Sequence, residues 1–150
     1  MQKEGQETAL QAINQLTGYF RTKKFPVILV YHTTPNYGPK PGSKEFEFPE
    51  SIKIEASDIK VTKNYGNAFK KTDLDKILKD KGVNTLFICG LSGTGCIMAT
   101  YHGGINLDYN TFLIKGTILS PKEKYSGWVE EICQSVGYGA LALILQGAEK

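Results

Sequence analysis

No stretch of this sequence approaches the roughly 18 consecutive apolar residues that a membrane-crossing helix requires, and residues 1–8 are polar, unlike a secretory leader. Blocks of five or six like charges are also missing. The 18 basic and 15 acidic residues leave a net charge of only +3, which does not indicate a nucleic-acid partner. Lys60, Lys63, Lys70, Lys71, Lys76, Lys79 and Lys81 fall close together, but acidic residues interleave them and no aromatic stacking pattern accompanies them. A solvated helix face is the better reading of that cluster. The three cysteines, Cys89, Cys96 and Cys133, are odd in number and lack CxxC spacing, which argues against a disulfide framework and a zinc knuckle and fits a reducing cytoplasm. Internal repeats and low-complexity segments are absent too. The expectation is a soluble, cytoplasmic protein with no membrane or nucleic-acid contact.

What is present suits one compact domain over residues 1–150, since 41% of the chain is hydrophobic, enough for a core without metal or disulfide staples. Ala9, Ile13, Leu16 and Phe20 recur at three- and four-residue steps and predict an amphipathic helix over residues 8–22. After Pro26, the run Val27-Ile28-Leu29-Val30-Tyr31 reads as a strand buried on both faces of a parallel sheet. Residues 33–50 hold four of the six prolines and predict an irregular surface excursion. Further strands are expected at 58–62, 83–89, 111–114 and 140–145, with helices at 72–81, 96–107 and 122–136. The last of these helices would turn Tyr125, Trp128, Val129, Ile132 and Val136 inward. Strands alternating with helices define an α/β domain with a mostly parallel, Rossmann-like sheet.

Ligands of such sheets bind beyond the carboxyl ends of the strands, so His32, Lys63, the glycine-rich turn 90–96 and Gly116 have first claim on function. Cys96 stands where the turn becomes a helix, and unpaired amides with a positive dipole end stabilise a thiolate there. Lys63, if it reaches the same pocket, adds positive charge beside the sulfur and toward a developing oxyanion. Each residue also has a bland reading. A lone cysteine is more often a small core hydrophobe, a lone lysine a surface residue, and a strand-end histidine an ordinary hydrogen-bonding group. On that basis Cys89 and Cys133 are assigned to the core. The turn Gly90-Leu91-Ser92-Gly93-Thr94-Gly95 could alternatively cradle a phosphate, although it fits neither GxGxxG nor a Walker pattern.

Taken in order, two segments resemble the isochorismatase-like cysteine hydrolase family. Residues 61–74, Val61-Thr62-Lys63 through Phe69 to Thr72-Asp73-Leu74, are similar to the family's lysine-bearing strand, small-residue turn and helix start. Residues 82–90, followed after five residues by Cys96-Ile97 and Thr100, are similar to its nucleophile strand, turn and helix. The resemblance implies a three-layer α/β/α hydrolase fold and a small-molecule substrate of amide or vinyl-ether type. It further implies a homo-oligomer that needs no cofactor. By position it makes Cys96 the nucleophile and Lys63 its catalytic partner, with Ser92 and Cys96 amides as oxyanion donors and a cis peptide at Leu91–Ser92. His32, Leu91, Tyr65 and Phe69 are the pocket candidates. A metal site is not expected, because the only histidines, His32 and His102, lie far apart in sequence.

The family opens with a central strand that ends in a catalytic aspartate, whereas this chain opens Met1-Gln2 and runs directly into a helical pattern. That departure sets a catalytically impaired binding or scaffolding relative beside the hydrolase reading. It also leaves a gap beside the strand near Ile28, which the neighbouring strands must close or the 140–145 segment must fill, because buried backbone groups need partners. The sheet edge is the ordinary place for that segment.

Overall fold

The structure, a computed structural model, describes residues 3–147. Helix α1 (Lys3–Thr22) comes first, striped by buried Ala9, Ile13 and Leu16. Strand β1 (Ile28–His32) then pairs in parallel with β2 (Ile59–Lys63), aligning His32 with Lys63 at their carboxyl ends. Next come α2 (Leu74–Asp80), β3 (Thr85–Leu91), a one-turn π-helix (Gly93–Ile97) and α3 (Met98–Asn106). The chain continues through β4 (Asn110–Leu119), α4 (Glu123–Ile132), the two-residue β5 (Ser135–Val136) and α5 (Tyr138–Gly147). All pairing between strands is parallel, in the orders β1-β2 and β3-β4-β5. The α/β class expected from the alternation is therefore the one observed.

Strand β4 shows why helices must cover both faces. Its neighbouring residues Leu113 and Ile114 are both fully buried but point opposite ways, as strand pleating requires. Leu113 packs with Ile97, Tyr101 and Val129 from the π turn, α3 and α4, while Ile114 packs with Leu16 of α1 and Leu141 of α5. A third cluster, with Val61, Leu74, Leu78 and Tyr109, seats α2 against β2. On the other face of β1, Tyr31 stacks on Phe46 at 5.0 Å and meets Phe48 edge-on at 4.7 Å, so the proline-rich excursion folds back as a cover.

Three expectations need correction. Residues 140–145 form helix α5 instead of a strand, so they neither extend the sheet nor fill its gap. Alanine and leucine are strong helix formers, and burial of Leu141 beside exposed Leu143 and Ile144 is helical, not alternating. Gly116 is not the end of a strand. β4 carries on to Leu119, and Gly116 occupies a bulge at φ +80°, its amide donating to a Glu130 carboxylate oxygen at 2.9 Å. Finally, Trp128 and Ile132 face outward, 53% and 52% exposed, because α4 stops at Ile132 and buries only Val129 completely.

The gap expected beside β1 is present. Among the described residues β1 bonds only to β2, and β3 only to β4. Between β1 and β3 lies an apolar cavity of about 670 Å³, with Ile28 and Val30 on one wall, Phe87 and Cys89 on the other, and Leu16 and Leu78 among its covers.

Candidate active site

Strand pairing delivers His32 and Lys63 side by side at the carboxyl ends of β1 and β2. The chain leaving β3 then brings Cys96 to them. Lys63 is 4% exposed, an unusual burial for an ammonium group. Its Nζ donates to the Tyr65 carbonyl oxygen at 2.9 Å and to Cys96 Sγ at 3.1 Å, and lies 3.1 Å from His32 Nδ1. An ammonium has three hydrogens and no acceptor, so these three acceptors satisfy it fully. Nδ1 can accept only if the imidazole is neutral with its proton on Nε2. Burial, and secondarily the Lys63 charge, push the His32 pKa below its ordinary value and favour that neutral form. Among the described residues no carboxylate forms an ion pair with Lys63. The sulfur is therefore the one group beside it that can carry a compensating negative charge.

The other two cysteines have different surroundings. Burial pushes the Cys89 thiol up to about 11 and raises that of Cys133 as well. Both are thereby held as thiols, in keeping with their assignment to the core. Cys89 borders the cavity and packs against the cluster of Leu16, Ile114 and Leu141, and Cys133 belongs to the cluster around Leu113.

The turn that presents Cys96 departs from a plain helix start. Ser92 O accepts from both Gly95 N at 3.0 Å and Ile97 N at 3.1 Å, and the second bond widens the turn into a π-helical one. Cys96 lies inside that turn, two residues before α3, where sequence alone placed it at the first residue of an α-helix. Such π turns are frequent at functional sites. The Leu91–Ser92 peptide is cis. Gly93 is required by packing: a Cβ there would stand 2.5 Å from Ser120 Oγ and 2.9 Å from Ile118 Cγ2. Close approach to β4 thus accounts for the middle glycine of the turn. Thr100 Oγ1, one turn along α3, accepts from Ala68 N at 3.0 Å and ties the loop after Lys63 to α3.

The structure brings together Cys96, Lys63 and His32, and it places Ser92 at the base of the same turn. Tyr65 contributes through its backbone, since its ring lies at the surface under Lys70 Nζ, 4.2 Å from the ring centre. Leu91 is a rim residue, 61% exposed. Phe69 is not part of this cluster: it stacks on Tyr109 at 5.7 Å in the core and borders the gap between β1 and β3. The Tyr65 carbonyl was missed by sequence reasoning, because no side-chain pattern signals a backbone acceptor. Ser120 was also missed. Its hydroxyl is buried against the Gly93 position and has no hydrogen-bond partner. Among the described residues, no group of three His, Cys, Asp or Glu stands close enough to hold a metal ion.

Comparison with known proteins agrees with this arrangement of elements. An uncharacterised isochorismatase family protein of Bacillus subtilis is 30% identical over 106 residues, covering 69% of this chain and 59% of its own length. The maleamate amidohydrolase of Pseudomonas putida is 29% identical over 68 residues, 45% of this chain and 32% of that enzyme. The chain thus spans about three fifths or less of these relatives. The crystal structure of an isochorismatase family protein from Desulfovibrio vulgaris superposes with a TM-score of 0.85 over 95% of this chain and 87% of that one, at 19% identity. The family model for the isochorismatase domain matches residues 1–129, which include the β1–β2 and β3–β4 pairs, the lysine-bearing strand end and the cysteine turn. On that match, the chain belongs to the isochorismatase family.

Proposed function

We propose that this chain is a cysteine hydrolase of small amides, with Cys96 as nucleophile and Lys63 as the proton-handling partner. The observation that carries this reading is the 3.1 Å contact between Lys63 Nζ and Cys96 Sγ with no carboxylate among the described residues paired to the lysine. A cation so placed favours a thiolate, the form of cysteine that attacks carbonyl carbon. The amide class is supported by the likeness to an amidohydrolase.

In the proposed reaction the Cys96 thiolate adds to the amide carbonyl carbon, and the oxyanion is received by the backbone amides of Ser92 and Cys96. Collapse of that intermediate breaks the C–N bond, and the departing nitrogen takes a proton from the Lys63 ammonium. A thioester and a neutral lysine result. Water then adds to the thioester while Lys63 Nζ takes its proton back, and the acid leaves as the thiolate is restored. His32 stays neutral throughout and orients Lys63 through Nδ1.

Ammonia release from a panel of small primary amides tests this reading, with acid-quenched mass spectrometry to trap the acyl group on Cys96. Release that disappears in Cys96→Ser and in Lys63→Met, with a trapped adduct in the parent protein, is the expected result. Turnover surviving in Cys96→Ser would contradict it.

A second reading, a family relative that binds without catalysis, is favoured by the same lack of a carboxylate at Lys63. Binding of an amide with no adduct and no ammonia would select it.

A further inference from the structure

Cys96 Sγ and Lys63 Nζ stand 3.1 Å apart, and the backbone on each side of that contact is pinned. Lys63 is fixed by its register with His32 across β1 and β2 and by the bond from Thr33 N to Lys63 O at 3.0 Å. Cys96 is fixed by the π turn, and Thr100 fastens α3 to the loop after Lys63 through Ala68 N and Gly66 O. The flexible four-carbon stem of the lysine is then all that must move for the two atoms to meet. Cys96 is half-buried, so a small solute reaches its sulfur, whereas Lys63 is buried behind it. An accessible thiolate is the form of cysteine that peroxides oxidise, and the resulting sulfenic acid condenses with a second thiol or with a backbone nitrogen. Both of those partners are engaged elsewhere. Burial holds Cys89 and Cys133 as thiols inside apolar clusters, and the Ile97 amide that follows Cys96 is bonded to Ser92 O at 3.1 Å. The Lys63 amine is the nucleophile that the sulfur meets.

We infer that Cys96 and Lys63 form a site of oxidative modification, at which a peroxide converts their contact into a covalent sulfur–nitrogen bond. The Cys96 thiolate attacks one peroxide oxygen and the O–O bond breaks. The departing hydroxide takes a proton from the Lys63 ammonium and leaves as water, so that a sulfenic acid faces a neutral amine. The amine lone pair then adds to the sulfur, the S–O bond breaks, and the hydroxyl leaves with one amine proton as a second water. Sulfur is oxidised by two electrons, the peroxide is reduced to two waters, and a sulfenamide joins the side chains. A dithiol reverses the bond, its thiolate attacking the sulfur and expelling the amine before the dithiol closes to its own disulfide. The cross-link ties up the sulfur and the ammonium together, and it shields the sulfur from irreversible oxidation to the sulfinic acid. The inference shares one contact with the proposed hydrolysis but requires no amide turnover, so the two are tested separately.

The full chain is treated with hydrogen peroxide, digested with trypsin without reductant and analysed by mass spectrometry. Trypsin cuts after lysine, so a blocked Lys63 leaves residues 61–70 uncut. That peptide is expected to be joined to residues 82–115, which carry Cys96, at the summed mass less two hydrogens. Dithiothreitol added before digestion is expected to abolish the cross-link and restore alkylation of Cys96 by iodoacetamide. In Lys63→Met the cross-link is expected to be lost and Cys96 to advance to the sulfinic acid. The Cys89→Ala, Cys133→Ala double variant, which leaves Cys96 as the single thiol, is expected to keep the cross-link and decides the matter if Lys63→Met does not fold. Cys96 recovered as sulfinic acid, disulfide or a cyclic sulfenamide on the Ile97 nitrogen, with Lys63 cleaved normally, would overturn the inference. Equal cross-linking of the urea-unfolded chain would overturn it too, since the fold would then contribute nothing. Ammonia release plays no part in these readouts, so a chain that cross-links without hydrolysing amides, or the reverse, separates the two proposals.

Discussion

A buried ammonium must place three hydrogens, and at Lys63 they go to a backbone oxygen, an imidazole nitrogen and a sulfur. Only the sulfur among these can become an anion, which is why a lysine with no carboxylate partner among the described residues points to Cys96 as its charge partner. The two motifs legible in the sequence located both residues, because strand-end position and residue type suffice for that. The acceptors that complete the lysine's shell were less legible. His32 was foreseen as a strand-end residue but not as the imidazole that orients Lys63, and the Tyr65 carbonyl has no signature at all. Phe69, a pocket candidate by resemblance, stacks on Tyr109 and stands apart from the Lys63–Cys96 contact. The His32 environment has a consequence for pH. Its folded pKa is lowered, while the unfolded value is about 6.5. Between the two the unfolded chain binds more protons, so stability is present above about pH 6.5 and declines as pH falls through the folded pKa. Urea midpoints measured from pH 7.5 down to 5 are expected to fall across that window, and His32→Gln should flatten the decline.

Elements were read from periodicity, and periodicity was informative wherever a segment had one clear buried face. Helix α1 and strands β1 to β3 followed from it, within a few residues at each end. The carboxyl-terminal run failed because a short apolar segment rich in alanine and leucine has no period to distinguish a strand from a helix. Its helical burial gives a direct test. Leu141→Ala, at a fully buried position against Leu16 and Ile114, is expected to cost about 2–5 kcal/mol. Leu143→Ala, on the exposed face, should stay within about 0.5 kcal/mol, and equal effects in thermal or urea unfolding would argue against the helix. The anchoring of α1 is tested at Arg21. Its guanidinium makes a bidentate pair with Asp58 just before β2, Nε to Oδ1 at 2.9 Å and Nη2 to Oδ2 at 2.7 Å. Burial pushes the Asp58 carboxyl up, but the hydrogen bonds from Arg21 and Glu55 N together with the Arg21 charge hold it below the usual range. Both side chains are largely buried, so Asp58→Ala is expected to cost about 3 kcal/mol by leaving the guanidinium with only the Lys53 carbonyl and a 3.8 Å contact to the exposed Glu55 carboxylate. Gly104 fixes the approach of α3 to β4, since a Cβ there would fall 2.6 Å from Thr111 Oγ1 and 3.2 Å from Leu86 Cδ1. Gly104→Ala should lower stability by about 1–3 kcal/mol through overpacking.

For the whole molecule, the parallel strands and their helical covers hold Cys96, Lys63 and His32 together at the carboxyl ends of the strands. Between β1 and β3 these strands leave an apolar gap. The gap was legible from the sequence as a departure from the family pattern; what became of it was not, because whether two edges close up depends on the packing of α1 and α2 between them. The proposed catalytic centre depends on the state of one sulfur. Alkylation by iodoacetamide near neutral pH, followed by peptide mass spectrometry of all three cysteines, measures that state directly. Cys96 is expected to be modified first and selectively, with Cys89 and Cys133 far slower, and Lys63→Met should slow Cys96 by about tenfold or more, the loss of one charge-assisted hydrogen bond. Labelling of Cys96 no faster than that of Cys89 and Cys133, or unchanged in Lys63→Met, would contradict the thiolate on which the proposed hydrolysis depends.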